Sequence, residues 1–165
     1  MKLRFAPVLC FGLLAACGQP ASDDAANVPA TQAPAAAPEA AAPAPALARK
    51  PAPDGARVYI VSPRDGESVP SPVTVVFGMS GVGVAPAGVA QEGTGHHHLL
   101  IDTPVPPLDQ PIPADERHVH FGGGQTETTI TLSPGTHTLQ LLLGDELHVP
   151  HDPPLLSDAV TIEVM

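Results

Sequence analysis

From Ala56 to Met165 the chain alternates short apolar or β-branched runs with polar, glycine- and proline-rich breaks. Seven segments carry the strand pattern: Arg57 to Ser62, Val73 to Met79, His97 to Thr103, Val119 to Phe121, Thr126 to Leu132, His137 to Leu143 and Ala159 to Val164. Turn chemistry separates them. Pro63-Arg64-Asp65-Gly66 suits a tight turn, Ser133-Pro134-Gly135-Thr136 suits a hairpin link between the fifth and sixth segments, and Gly122-Gly123-Gly124 breaks the fourth from the fifth. About seven strands in a domain of about 110 residues is a sandwich count. The predicted fold is all-β, an immunoglobulin-like β-sandwich, with a cupredoxin-like barrel as runner-up.

The first twenty residues have a different pattern. Met1-Lys2-Leu3-Arg4 is a short basic start, Phe5 to Leu14 is mostly apolar, and Leu14-Ala15-Ala16-Cys17 follows. The apolar run is too short to serve comfortably as a permanent membrane span. This arrangement resembles the lipobox of bacterial lipoproteins. The resemblance implies a signal peptide over 1–16, cleavage before Cys17 and lipidation of Cys17, and hence anchoring on the periplasmic side of a bacterial membrane.

Cys10 would leave with such a peptide and Cys17 would carry lipid, so the mature chain has neither free thiol nor disulfide. Thiolate catalysis, cysteine-ligated zinc and a blue-copper centre are thereby excluded. Acylation of the new N-terminus also excludes a copper site built on a terminal histidine amine.

From residue 18 to 55 alanine and proline dominate, with prolines spaced so that no helix runs far. Residues 17–55 are predicted to form a disordered tether. In polyproline II at roughly 3.1 Å per residue, its reach is on the order of 100 Å. The folded domain is placed at 56–165. The chain has 7 basic and 17 acidic residues. Losing Lys2 and Arg4 with the signal leaves 5 against 17, a mature net charge of -12. Nucleic acid is excluded as a partner by that balance, whereas cations are attracted.

All eight histidines fall between His96 and His151. Strand parity sorts them. If Leu99 and Ile101 face the core, then His96, His98, Leu100 and Asp102 face away; Val119 and Phe121 inward put His118 and His120 outward. Leu100 is out of place on a polar face. Two imidazoles in an H-x-H strand pair share one face and can converge on one ion at roughly 2.0 to 2.1 Å from each nitrogen. The predicted metal ligands are His96, His98, His118, His120, His148 and His151, with Asp102, Asp145 and Asp152 as outer orienting groups or alternative ligands. His97 and His137, each in phase with core leucines, are expected to be satisfied histidines at the core edge.

Gly93 to Asp102, His118 to Glu127, Pro134 to Leu141, and Gly144-Asp145 with His148-Val149-Pro150-His151 together resemble the bacterial domain of unknown function 4399, over about 81–164. That resemblance implies a domain and supplies no chemistry. Ser62 to Val69 is also similar to the opening of periplasmic copper-resistance immunoglobulin-like domains, which supports the fold more than copper.

No G-x-S-x-G elbow is present, and Ser133 and Ser157 sit in turn contexts. A zinc hydrolase would require an open coordination position and a base such as Glu127 or Asp145. The expectation is a non-enzymatic, lipid-anchored envelope protein binding copper or zinc through its histidine-rich face. The alternative is a module that docks an envelope protein with the same polar face.

Overall fold

A computed structural model describes residues 46–165. The lipobox, Cys17 and most of the expected tether lie outside the described residues. Within them the chain forms nine strands and no helix. The strands are β1 (Arg57–Ser62), β2 (Glu67–Val69), β3 (Val73–Ser80), β4 (Gly83–Val84), β5 (Thr94–Ile101), β6 (His118–His120), β7 (Glu127–Ile130), β8 (Gly135–Gly144) and β9 (Val160–Val164). They build two sheets, one ordered β1-β3-β7 and the other β2-β9-β8-β5-β4 with β6 paired to β5. The expected all-β sandwich is what the chain adopts.

Period-2 alternation places the core. Val73, Val75 and Phe77 of β3 and Val58 of β1 meet Leu99 and Ile101 of β5, Leu139, Leu141 and Leu143 of β8, and Val160, Ile162 and Val164 of β9. The seven expected segments all contain strands. The two extra strands, β2 and β4, pair in parallel with β9 and β5 along only three and two residues. Segments that short carry too little periodicity to be read from the sequence.

Three expectations change. The turn at Ser133 to Thr136 does not close a hairpin, because β7 pairs with β3 while β8 pairs with β5 and β9. Turn residues reverse the chain but do not choose its pairing partner, and here the chain crosses from one sheet to the other. Second, the outer face of the large sheet is not an open polar surface. Leu100, Ile112 and Leu142 form a second small core with Val105, Leu108 and Leu156, so the 102–117 loop lies over β5 and β8. Every residue of β5 is consequently buried.

Third, residues 46–55, expected to belong to the tether, pack on the domain. Leu47 donates to the Asp109 carbonyl at 2.9 Å, Ala52 donates to Asp152 at 2.9 Å, and Asp152 donates to Lys50 at 2.8 Å. Ala52 also packs against the main core. Residues 46–55 are therefore a strap on the domain, held by backbone hydrogen bonds that proline content alone does not reveal.

Candidate metal centre

Residues 96 to 98 lie on β5 opposite β8, with His96 facing Gly144, His97 facing Leu143 and His98 facing Leu142. On the other edge of β5, His98 faces His120 of β6 directly. Same-face alternation brings His96, His98 and His120 together, and their candidate ligand nitrogens all lie within 4.8 Å of one another. After β8 the chain turns back at Gly144 and adds His148. Its Nε2 is 3.2 Å from that of His120, the same spacing as between the Nε2 atoms of His96 and His98. The ring centroids of the four imidazoles are 4.7 to 5.8 Å apart.

Local chemistry shapes the turn that presents His148. The Asp145 carboxylate accepts from the backbone amides of Leu147 and Val149, both at 2.9 Å, while the His148 amide donates to the Asp145 carbonyl at 2.9 Å. His148 takes φ 68, a left-handed conformation that histidine adopts more readily than branched residues. Its carbonyl then accepts from Ile112 at 2.8 Å, tying the turn to the covering loop.

Two glycines make room. A Cβ on Gly122 would lie 2.3 Å from Cε1 and 2.6 Å from Nε2 of His120. One on Gly144 would lie 3.2 Å from His98 Nε2 and from the His148 Cα. These positions belong to the site as much as the rings do, although the sequence pattern marks Gly122 only as part of a strand break and Gly144 only as part of the family resemblance. The signal available was the glycine run immediately after His118-Val119-His120-Phe121 and the glycine ending the long β8.

His96 and His98 have no solvent exposure. Burial, followed by the neighbouring His148, His120 and His97 rings, pulls His96 down to about 4. Burial and the rings of His96, His120, His148 and His118 pull His98 to about 2. Burial and then His148 lower His120 as well. At neutral pH these three rings are uncharged, and each offers a lone pair. The Nδ1 atoms of His96 and His98 are buried without a hydrogen-bond partner among the described residues.

The remaining predicted residues are placed elsewhere. His118 turns into a tight loop, its Nδ1 2.9 Å from Asp115, whose carboxylate also accepts from the Arg117 and His118 amides. His151 is buried under the strap and forms part of the wall of a cleft between 50–54 and 90–93. Burial lowers its pKa, against the pull of Asp145 and nearby backbone groups. Among the described residues, no carboxylate meets the Nδ1 atoms of His96 and His98. Asp102 lies just past the end of β5 at φ 50, binding His137 Nδ1 at 2.6 Å and the Thr138 amide at 2.8 Å. Asp145 holds its own turn, and Asp152 pairs with Arg49 at 3.2 Å.

The two core-phase histidines differ from each other. His137 is satisfied by Asp102 and by the Ser133 carbonyl at 2.9 Å. His97 is not at the core edge. It has no exposure, packs on Phe77 at 5.1 Å, and neither ring nitrogen has a partner in hydrogen-bonding geometry among the described residues. Burial drives it to about 4, with only the nearby Gln125 backbone opposing. The β5 phase that puts His96 and His98 outward forces the residue between them inward, where the Gln125 backbone is the polar group that opposes its burial.

A family model described as Domain of unknown function (DUF4399) matches residues 75–165. The chain belongs to this family. The DUF4399 match starts inside β3 and takes in all eight histidines, the turn at Asp145 and the two glycines of the site. It leaves out the strap, β1 and β2. No curated protein and no solved structure matches the chain.

Proposed function

We propose that this DUF4399 domain binds a transition-metal cation, copper or zinc, through His96, His98 and His120, with His148 as the fourth ligand. The observation that carries this reading is the convergence of His96, His98 and His120, whose ligand nitrogens lie within 4.8 Å of one another, with His148 beside them; the His96–His98 and His120–His148 Nε2 pairs each stand at 3.2 Å. Ligands about 2.0 to 2.1 Å from a tetrahedral ion stand about 3.3 Å from one another, so both pairs match an edge of such a site. Imidazole nitrogen donors without thiolate suit zinc and copper among the common metals. Like rings packed this closely without an acid between them would otherwise leave buried polar atoms uncompensated.

A docking module built on the same residues would need them at a surface, and His96 and His98 have none. A closed four-donor set also favours retention or handover of the ion over catalysis, which needs an open position. Lipidation of Cys17 would hold the domain at a bacterial envelope membrane, with the tether as spacer. Metal analysis of chain purified without a histidine tag, before and after chelation, tests the reading: bound copper or zinc in the wild type and none in His96→Ala/His98→Ala supports it. Metal-free protein that takes up neither ion refutes it.

A further inference from the structure

The strap at 46–55 lies outside the family match, yet two of its side chains hold the loop that carries His148. Arg49 Nε donates to the Pro150 carbonyl at 3.1 Å, another nitrogen of the same guanidinium donates to the His151 carbonyl, and a third pairs with Asp152 at 3.2 Å. The Lys50 ammonium binds the Glu146 carboxylate. Glu146 stands two residues before His148 and Pro150 two residues after it, so the strap grips the loop on both sides of the ligand. Three fork contacts on one side chain require the planar guanidinium and cannot be reproduced by a point charge. The Arg49 side chain is 19% exposed and that of Glu146 14%, whereas their partners Asp152 and Lys50 are 66% and 40% exposed, so each pair has one sheltered member.

His96, His98 and His120 sit on paired strands, whereas His148 sits on a turn closed by its own backbone bonds at Asp145 and the Gly144–Pro150 bridge, and tied to the rest of the domain by the Ile112 and Gly88 amides. A ligand on a loop depends on the groups that hold that loop. We infer that Arg49 and Lys50 are positioning residues for the metal centre: the strap sets metal affinity by keeping His148 in reach of the ion held by the other three rings. The inference rests on the metal reading above. It makes the residues at the end of the linker part of the site, although they touch no ligand nitrogen.

The test is a cobalt(II) titration of the full chain, read by visible absorption, with the metal-free melting temperature of each variant measured alongside. Arg49→Ala/Lys50→Ala is expected to weaken cobalt binding about tenfold or more and to alter the cobalt spectrum as His148→Ala does. Combining the strap and His148 changes should add little further loss, because both act through one ligand. Lys50→Glu alone should weaken binding, and Lys50→Glu with Glu146→Lys should restore it. A strap that only braces the fold would lower the metal-free melting temperature and leave cobalt affinity and spectrum at wild-type values, which would overturn the inference. Losses that add fully to that of His148→Ala would overturn it as well. Wild-type chain that binds no cobalt, copper or zinc would remove the metal reading and this inference together, an outcome distinct from wild-type binding that the strap variants share.

Discussion

His120 and His148, 28 residues apart in the chain, hold their Nε2 atoms 3.2 Å from each other, one from a three-residue strand and the other from a turn. Neither position is rigid by itself. β6 is held by its register with β5, and His148 by a turn whose carboxylate cap, covering loop and strap all converge on a few residues. The cluster is thus a product of tertiary packing rather than of the H-x-H motifs alone.

Gly122→Ala should damage the site more than the fold. The added methyl would overlap the tip of the His120 ring, which can swing aside at modest cost to stability but not without leaving the cluster. Zinc or copper affinity is expected to fall about tenfold or more, as for other changes that misdirect a ligand. The midpoint of urea unfolding without metal should shift little. A calorimetric titration with wild-type affinity would show that His120 is not a ligand.

Asp145→Ala tests the turn. It leaves the buried Val149 amide and the part-buried Leu147 amide without their shared acceptor, at a cost of about 1–3 kcal/mol, mostly from Val149. Metal affinity should drop in parallel because His148 loses its fixed presentation. Chemical denaturation and metal titration on the same variant measure the two effects. A destabilised variant with unchanged affinity would place His148 outside the site.

The metal-free domain should lose stability in mild acid. Unfolded histidines take up protons near 6.5, whereas in the folded chain burial holds His96 and His97 to about 4 and His98 lower still. Between about pH 6.5 and 4 the unfolded chain binds more protons, so stability is full above that window and declines as pH falls through it. Each histidine contributes on the order of 1.4 kcal/mol per pH unit there. His137 acts in the opposite sense: Asp102 raises its pKa, so its contribution is present at low pH and is lost as pH rises past that value. As a partly exposed pair it is worth less. Urea midpoints that stay level from pH 7 to pH 5 would contradict the buried, neutral state of the cluster.

His137→Ala serves as the converse case. Its ring binds Asp102 and Ser133, away from the cluster, so metal affinity should be that of the wild type and the stability change about 1 kcal/mol or less. Reduced metal uptake in this variant would enlarge the site beyond the four rings.

Strand alternation made much of this legible from residues alone. It placed Leu99 and Ile101 inward and His96 and His98 outward, and it paired the two H-x-H segments as candidates for one ion. Leu100 already carried the next step: an apolar residue in the phase of His98 signals that something covers that face, and Leu142 on β8 repeats the signal. The cover itself, from a loop with no periodicity, is a long-range contact that local pattern does not encode. His118 and His120 share a parity, and what separates them is Asp115, which captures the first in a turn. Arg49 and Lys50 lie in the alanine- and proline-rich stretch expected to be a tether, and no local pattern there marks them as part of a site. Their partners Glu146 and Asp152 lie about a hundred residues away, too far for sequence spacing to connect them.

The most direct test of the metal centre is calorimetric titration of zinc(II) and copper(II) into tag-free, chelator-treated protein, wild type beside His96→Ala/His98→Ala. The cluster predicts stoichiometric, saturable binding at micromolar concentrations in the wild type, loss of that binding in the variant, and a higher melting temperature with metal in the wild type alone. Wild-type protein that gives no binding heat and no thermal shift with either ion, or a variant that binds as tightly as the wild type, would contradict a metal centre at these histidines.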